Sequence, residues 1–178
     1  TFCSWHGYER LITGIKNYRE NGGGYKIKLF LVGRRGDEEL YRHLVQKYGL
    51  EKEIIFTGWL DKEALSEIFD KADIAVSTLA PYKAGIEAAS PLKGVEYAAK
   101  GMPMICGYKD LRFTDDYPYL LQVPNDDSPL DMERVIYFWK RVRVIVDYKE
   151  QIHRFAKDYL SWDFIMQPVI ELYNVSQT

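Results

Sequence analysis

The sequence predicts an α/β fold with a Rossmann-like, doubly wound parallel sheet, helices on both faces and a helical C-terminus. Three observations carry this. Short apolar runs ending in glycine alternate with stretches of helical period. The first such run is repeated in form about two dozen residues later, as Lys26–Gly33 and then Glu53–Gly58. The chain has 178 residues, 47% of them hydrophobic, which suits one domain with a single sizeable core.

The elements follow in order. A first helix precedes Gly22-Gly23-Gly24, and because this glycine run leads from a helix into a strand it reads as a flexible turn. A phosphate loop would run the other way. Lys26–Gly33 and Glu53–Gly58 read as buried strands. Between them Leu40, Leu44, Val45 and Tyr48 recur at helical spacing after Asp37-Glu38-Glu39, acids suited to the positive end of a helix, and Gly49 closes it. A helix near 61–71 (Leu65, Ile68, Phe69) leads to the strand Asp73–Ser77. A helix starting at Pro91 and the strand Pro103–Cys106 come next, then a further strand at Tyr119–Val123. Residues of about 129–175 hold two or three helices, with Val135, Phe138, Trp139, Val142 and Ile145 as an apolar packing stripe. Short strands separated by helices imply parallel pairing with both faces covered.

Composition narrows the partners. Lysine plus arginine (24) nearly balances aspartate plus glutamate (26), so no bulk field favours nucleic acid or an anionic membrane. A charged ligand must then be held by local geometry. Cys3 and Cys106 lack metal spacing and read as reduced thiols of a cytosolic protein. No signal-peptide pattern or membrane-spanning run is present. Opening on Thr1-Phe2-Cys3, the chain is expected to be part of a longer one, with 1–178 forming a single domain.

In open parallel sheets, ligands bind beyond the carboxyl ends of the strands, where loops feed helix N-termini. That rule selects residues 2–7, 33–36, 58–60, 78–90 and 107–110. The longest ends in Ser90-Pro91-Leu92-Lys93, where serine suits an N-cap and proline the first helical position. An exposed helix N-terminus there is an anion site. Lys93 and Glu96 share one face of this helix, while Leu92, Val95 and Ala99 are expected to face the sheet. Ser90 to Glu96 spans about 9 Å of helix, comparable with the reach from a diphosphate to its ribose. Glu96 therefore reads either as an acceptor for two vicinal hydroxyls or as half of a solvated salt bridge with Lys93.

The string Ser90-Pro91-Leu92-Lys93-Gly94-Val95-Glu96, continuing to Gly101, Pro103 and Ile105, resembles the nucleotide-binding motif of the family-four (group 1) retaining glycosyltransferases of GT-B fold. His6-Gly7, Leu31-Val32-Gly33, Ile55–Trp59, Ala72-Asp73-Ile74, Leu160-Ser161-Trp162 and Leu172-Tyr173 fall in the same order, so the resemblance covers nearly the whole chain. It implies one half of a GT-B fold, the half that binds a UDP- or GDP-linked sugar, with the N-terminal acceptor-binding domain absent. Glu96 would hold the ribose, and the helix opened by Ser90, Pro91 and Leu92 would receive the diphosphate. Gly33-Arg34 and Gly58-Trp59-Leu60 would flank the nucleotide, although Arg34 also reads as a solvated surface residue and Trp59 as core.

The sequence departs from the family pattern in three places. The first glutamate of the usual Glu-x7-Glu pair falls on Ala88, with Glu87 one position early as a possible substitute at the donor sugar. The basic residue before the first-helix glycine is His6 rather than lysine, expected to be fully charged only below about pH 6.5. The arginine expected upstream would fall at or before Thr1. Lys93 would supply the missing positive charge.

The implied chemistry is transfer of a sugar to an acceptor hydroxyl with retention, without cofactor or metal. The leaving diphosphate would be stabilised by the helix N-terminus, Lys93 and His6. The implied setting is polysaccharide or glycan synthesis in the cytoplasm, with peripheral attachment to the inner membrane face through the other half. The last helix would cross back to that half, exposing apolar surface between Trp162 and Tyr173. Two other classes share these features: a nucleotide-sugar epimerase of the same fold, and a non-enzymatic α/β partner-binding module.

Overall fold

The computed structural model describes residues 1–175, so the last three residues of the expected 1–178 domain lie outside the described residues. A 3-10 turn at Ser4–His6 leads into α1 (Tyr8–Glu20), β1 (Leu29–Val32), α2 (Glu38–Tyr48), β2 (Ile54–Gly58), α3 (Lys62–Lys71) and β3 (Ala75–Val76). A second 3-10 turn at Pro81–Ala84 precedes α4 (Leu92–Ala99), β4 (Met104–Cys106) and β5 (Leu120–Gln122). Three helices follow: α5 (Met132–Arg143), α6 (Tyr148–Tyr159) and α7 (Trp162–Val175).

Local chemistry sets the boundaries. Glu38 and Glu39 occupy the first turn of α2, and Gly49 ends it at φ +61°, a left-handed conformation that costs a residue with a Cβ about 1–2 kcal/mol. Asp61 caps α3 by accepting from the Ala64 N–H at 2.8 Å. On α1, Leu11, Ile12, Ile15 and Tyr18 form the buried stripe. Gly22–Gly24 is a turn between α1 and β1, as expected from its direction. The strands are shorter than their apolar runs. Lys26–Lys28 and Asp73–Ile74 fall outside the ladders, so β3 keeps only two residues.

All strand pairs are parallel. β1 pairs with β2, setting Leu29 beside Ile54 and Leu31 beside Phe56, and β3-β4-β5 form a second ladder with Ala75 beside Met104 and Ile105 beside Leu121. No ladder hydrogen bonds join β1 to β3. Two apolar clusters form the core, and β3, β4 and β5 contribute side chains to both. Ile12, Leu31, Tyr41, Val45, Leu50 and Leu79 belong to one, and Ala98, Met104, Phe138, Val142 and Ile152 to the other. Ile74 and Leu121 pack against both. In the expected stripe of α5, Val135, Phe138 and Val142 are buried, as the packing reading requires.

Beneath the carboxyl ends of the strands, Ser77 and Tyr108 share a buried hydroxyl hydrogen bond of 2.8 Å. Replacing Ser77 by alanine leaves the Tyr108 hydroxyl without that partner, and we expect a loss of about 1–2 kcal/mol in urea denaturation. An unchanged midpoint would mean that Tyr108 finds another partner. Among the described residues no helix is long and apolar enough to cross a membrane. Both Cys3 and Cys106 are free thiols.

Candidate functional site

The five loops selected by the carboxyl-end rule are tied into one rim. Phe2 bridges to Gly36 and Gly33 to Gly58, where the Gly33 N–H donates to the Gly58 carbonyl at 2.8 Å. The Leu79 and Ala80 N–H groups donate to His6 and Trp5 at 2.9 and 3.1 Å. Gly107 donates to Thr78 at 2.8 Å, and Ala88 bridges to Lys109. The Phe2–Gly7 segment lies tightly on the rim. Gly7 adopts φ +67°, and a Cβ there would stand 2.6 Å from that of Ala80.

The helix at the rim starts one residue later than the sequence suggested. Pro91 is the N-cap, with extended backbone at ψ 150°, and Leu92 is the first helical residue, so Ser90 does not cap. Instead the Ser90 hydroxyl donates to Asp110 at 3.4 Å. The helical rise from Leu92 to Glu96 is accordingly about 6 Å rather than the longer span counted from Ser90. The helix face is corrected too. Gly94 and Ala98 are the buried positions and Val95 packs half-buried against the second cluster as expected, while Leu92 and Ala99 are exposed; a Cβ at Gly94 would stand 2.9 Å from Arg112 Nη2. Among the described residues, the N–H groups of Leu92 and Lys93, in the first turn, have no backbone acceptor.

Lys93 reaches His6, with Nζ 3.4 Å from Nε2. His6 Nδ1 accepts the Cys3 N–H at 3.1 Å, so the neutral ring carries its proton on Nε2. Two donors therefore face each other, and an anionic oxygen is the partner that satisfies both. Burial first, and Lys93 second, hold the His6 pKa down to about 4. His6 is thus a neutral donor at physiological pH, correcting the expectation that it becomes fully charged just below its ordinary value. Burial also pushes the Lys93 ammonium below its usual range, partly offset by Cys3 and Glu96.

The remaining residues predicted from the sequence fall around this pair. The Glu96 carboxylate is exposed and forms no salt bridge among the described residues, so the solvated Lys93 pair is not what it makes. Glu87 is exposed on the same loop, where its carbonyl accepts the Lys109 N–H at 3.0 Å, and its carboxylate does not join the His6–Lys93 cluster. Trp59 is 69% exposed beside Gly58, which removes its reading as core. Leu60 is half-buried and Arg34 is exposed at the Gly33–Gly58 bridge.

One pair was missed by the sequence reading. Arg112 clasps the buried Asp110 through Nε at 2.9 Å and Nη2 at 2.6 Å, and donates to the Pro91 carbonyl at 2.8 Å. It fixes the entry to α4. Its only sequence signal is an acid and an arginine two apart after a strand.

A cavity of about 730 Å³ lies beneath this rim, between β1 and β3. Leu29, Leu31, Val76 and Tyr97 line it, and it reaches Lys93 at the carboxyl end.

The segment that builds this rim matches a known family. A family profile described as glycosyl transferases group 1 matches residues 2–110, more than half of the chain and the whole rim. The chain belongs to the group 1 glycosyl transferases. Membership accounts for the order of loops around α4 and leaves the helices α5 to α7 outside the matched segment. Among solved structures, this glycosyl transferase chain is similar to sucrose-phosphate synthase from Thermosynechococcus elongatus, with TM-score 0.67 and 22% identity over 96% of the chain and 42% of that protein. It is also similar to HepE from Anabaena, solved with UDP and glucose, with TM-score 0.71 and 14% identity over 97% of the chain and 46% of that protein. A third similar structure is the pneumococcal O-GlcNAc transferase GtfA with UDP and GlcNAc, at TM-score 0.59 and 14% identity over 94% of the chain and 32% of that protein. At these identities the likeness is one of fold, and the chain spans less than half the length of each. No curated protein sequence matches it.

Proposed function

We propose that this chain is the donor-binding domain of a retaining, metal-independent glycosyltransferase that moves a sugar from a nucleotide diphosphate to an acceptor hydroxyl. The observation that carries this reading is the His6–Lys93 donor pair 3.4 Å apart beside the unpaired N–H groups opening α4. A diphosphate seated there meets a helix N-terminus, an ammonium and an imidazole N–H, all placed where negative charge grows as the diphosphate leaves. Glu96 then accepts from the ribose hydroxyls, and Gly33-Arg34 with Gly58-Trp59-Leu60 hold the nucleoside. Glu87 approaches the donor sugar. UDP is favoured over GDP because HepE and GtfA were both solved with UDP.

The acceptor site belongs to a further domain in this reading. The α7 residues Trp162, Phe164, Ile165, Val169, Ile170 and Leu172 are exposed, an apolar surface suited to that domain. Glycan or polysaccharide synthesis on the cytoplasmic side, at the inner membrane face, is the setting proposed. Calorimetric titration with UDP, GDP, ADP and CMP tests the reading. Selective binding of UDP or GDP is expected, and failure of all four to bind would overturn it.

His6 gives the binding a pH signature. Its proton affinity is low in the free site and rises beside a bound diphosphate, so binding takes up a proton once the pH falls below the bound-state pKa. Affinity for UDP-glucose, whose diphosphate does not titrate in this range, is expected to strengthen by up to about tenfold per pH unit between pH 7 and 5. His6→Gln should flatten the dependence. A flat wild-type profile would place the diphosphate away from His6.

A further inference from the structure

We propose that Asp110 and Arg112 are positioning residues for the donor diphosphate, with Arg112 holding the entry to α4 and cancelling a carboxylate that would otherwise repel the ligand; this rests on the donor-binding reading above. The starting point is an acid in an unusual place. Asp110 follows β4 and is only 4% exposed. A Cβ at Gly94, in the first turn of α4, would stand 3.3 Å from its Oδ2. A bare carboxylate there takes up the positive field of the helix N-terminus that a bound anion needs. It also brings like charges together out of water, which is strongly disfavoured.

Arg112 removes that charge and uses the same group to hold the helix. Its Nε and Nη2 donate to the two carboxylate oxygens at 2.9 and 2.6 Å, a planar fork on a planar acceptor, and its backbone N–H adds a third bond to Oδ1 at 3.2 Å. Nη2 also donates to the Pro91 carbonyl at 2.8 Å, the acceptor that takes the Gly94 N–H at 3.1 Å and so begins the helix. One guanidinium therefore ties the acid at the end of β4 to the N-cap of α4. It fixes where the Leu92 and Lys93 N–H groups lie, and with them the Lys93 ammonium beside His6. The loop before α4 is held by the same segment. Lys109 donates to the Glu87 carbonyl and Ala89 to the Lys109 carbonyl, at 3.0 Å each, so the residue proposed at the donor sugar moves with Asp110.

Two features of this arrangement work against stability. A buried ion pair gains little over apolar residues of the same size, because both charges lose their water. Glycine inside a helix is less favourable than alanine. Yet a Cβ at position 94 would meet Arg112 Nη2 at 2.9 Å, so the glycine is what lets the guanidinium lie against the first turn. A helix start held in one place over a neutral floor accounts for both.

Calorimetric titration of the 178-residue chain and its variants with UDP tests the assignment, at a temperature where circular dichroism shows each of them folded. Arg112→Gln leaves the Asp110 charge without its partner and should raise the Kd by at least about tenfold. Adding Asp110→Asn to that variant removes the charge, and should restore most of the affinity although it is a second change. Arg112→Lys keeps the charge but loses the fork, and should fall between Arg112→Gln and the wild type. A Kd for Arg112→Gln within about twofold of the wild type overturns the proposal. So does a double variant as weak as Arg112→Gln, which would make Arg112 a structural prop. If Arg112→Gln does not fold, Arg112→Lys decides, and a Kd equal to that of the wild type overturns the hold on Pro91 and the proposal with it. Failure of UDP to bind the wild type is a separate result, which removes the donor reading itself.

Discussion

Replacing Arg10 by alanine is expected to cost about 3–5 kcal/mol of folding stability, lowering the thermal midpoint by roughly 10 °C. Arg10 sits on α1 with only 2% of its surface exposed, and its guanidinium gathers carbonyls from separate segments of the chain. It donates to Leu79 and to the carbonyls of Pro124 and Ser128 at 2.9 and 2.7 Å, and reaches the Asp126 carboxylate at 3.1 Å. Alanine leaves these carbonyls without their donor and opens a space in their midst. Lysine carries the charge but not the planar fork, so Arg10→Lys should fall between the two. The surface i,i+4 pair Lys16–Glu20 on the same helix, with Lys16 half-buried and Glu20 exposed, serves as a control, because breaking it should cost no more than about 0.5 kcal/mol. A loss of that size at Arg10 would mean that the loops find other donors. Function is linked to this contact, since Leu79 also donates to the His6 carbonyl. Well below the midpoint, Arg10→Ala should therefore still weaken nucleotide binding.

Arg10 also shows where sequence reasoning stops. An arginine on an amphipathic helix reads as solvated, and its partners at Pro124 and Ser128 lie far along the chain. Nothing local announces them. The alternation of strands and helices was legible because buried runs have a period that survives without knowledge of the partner. The ladder lengths were not, because Asp73 and Ile74 are as apolar or polar inside a strand as beside one. At α4, Pro91 marked the helix start to within a residue, but the Ser90 hydroxyl is drawn to Asp110 rather than to the helix. The buried face was misplaced for a related reason. Hydrophobicity pointed to Leu92, Val95 and Ala99, of which Val95 packs inward, whereas the close approach of Arg112 selects glycine at position 94. The proton on His6 depends on Cys3 and Lys93 and on burial, of which only the first is a near neighbour in sequence.

Spacing left Glu96 open between an acceptor for ribose hydroxyls and half of a salt bridge with Lys93, and its removal carries the second large effect. Glu96→Ala is expected to weaken UDP binding by about 1.5–3 kcal/mol, roughly 10- to 150-fold in Kd. The carboxylate is exposed and forms no ion pair among the described residues, so folding stability should stay within about 0.5 kcal/mol of the wild type. Affinity and stability thus separate at this position, whereas they fall together at Arg10. The ribose assignment makes a sharper demand. If Glu96 accepts from the 2′-hydroxyl, then 2′-deoxy-UDP should lose affinity for the wild-type chain and little further for Glu96→Ala, because both changes remove the same hydrogen bond. Glu96→Gln keeps one acceptor without the charge and should fall between. Equal Kd values for the wild type and Glu96→Ala would remove the ribose contact, leave binding to the diphosphate contacts at His6, Lys93 and the α4 N-terminus and to the loops after β1 and β2, and make the carboxylate a solvated surface group.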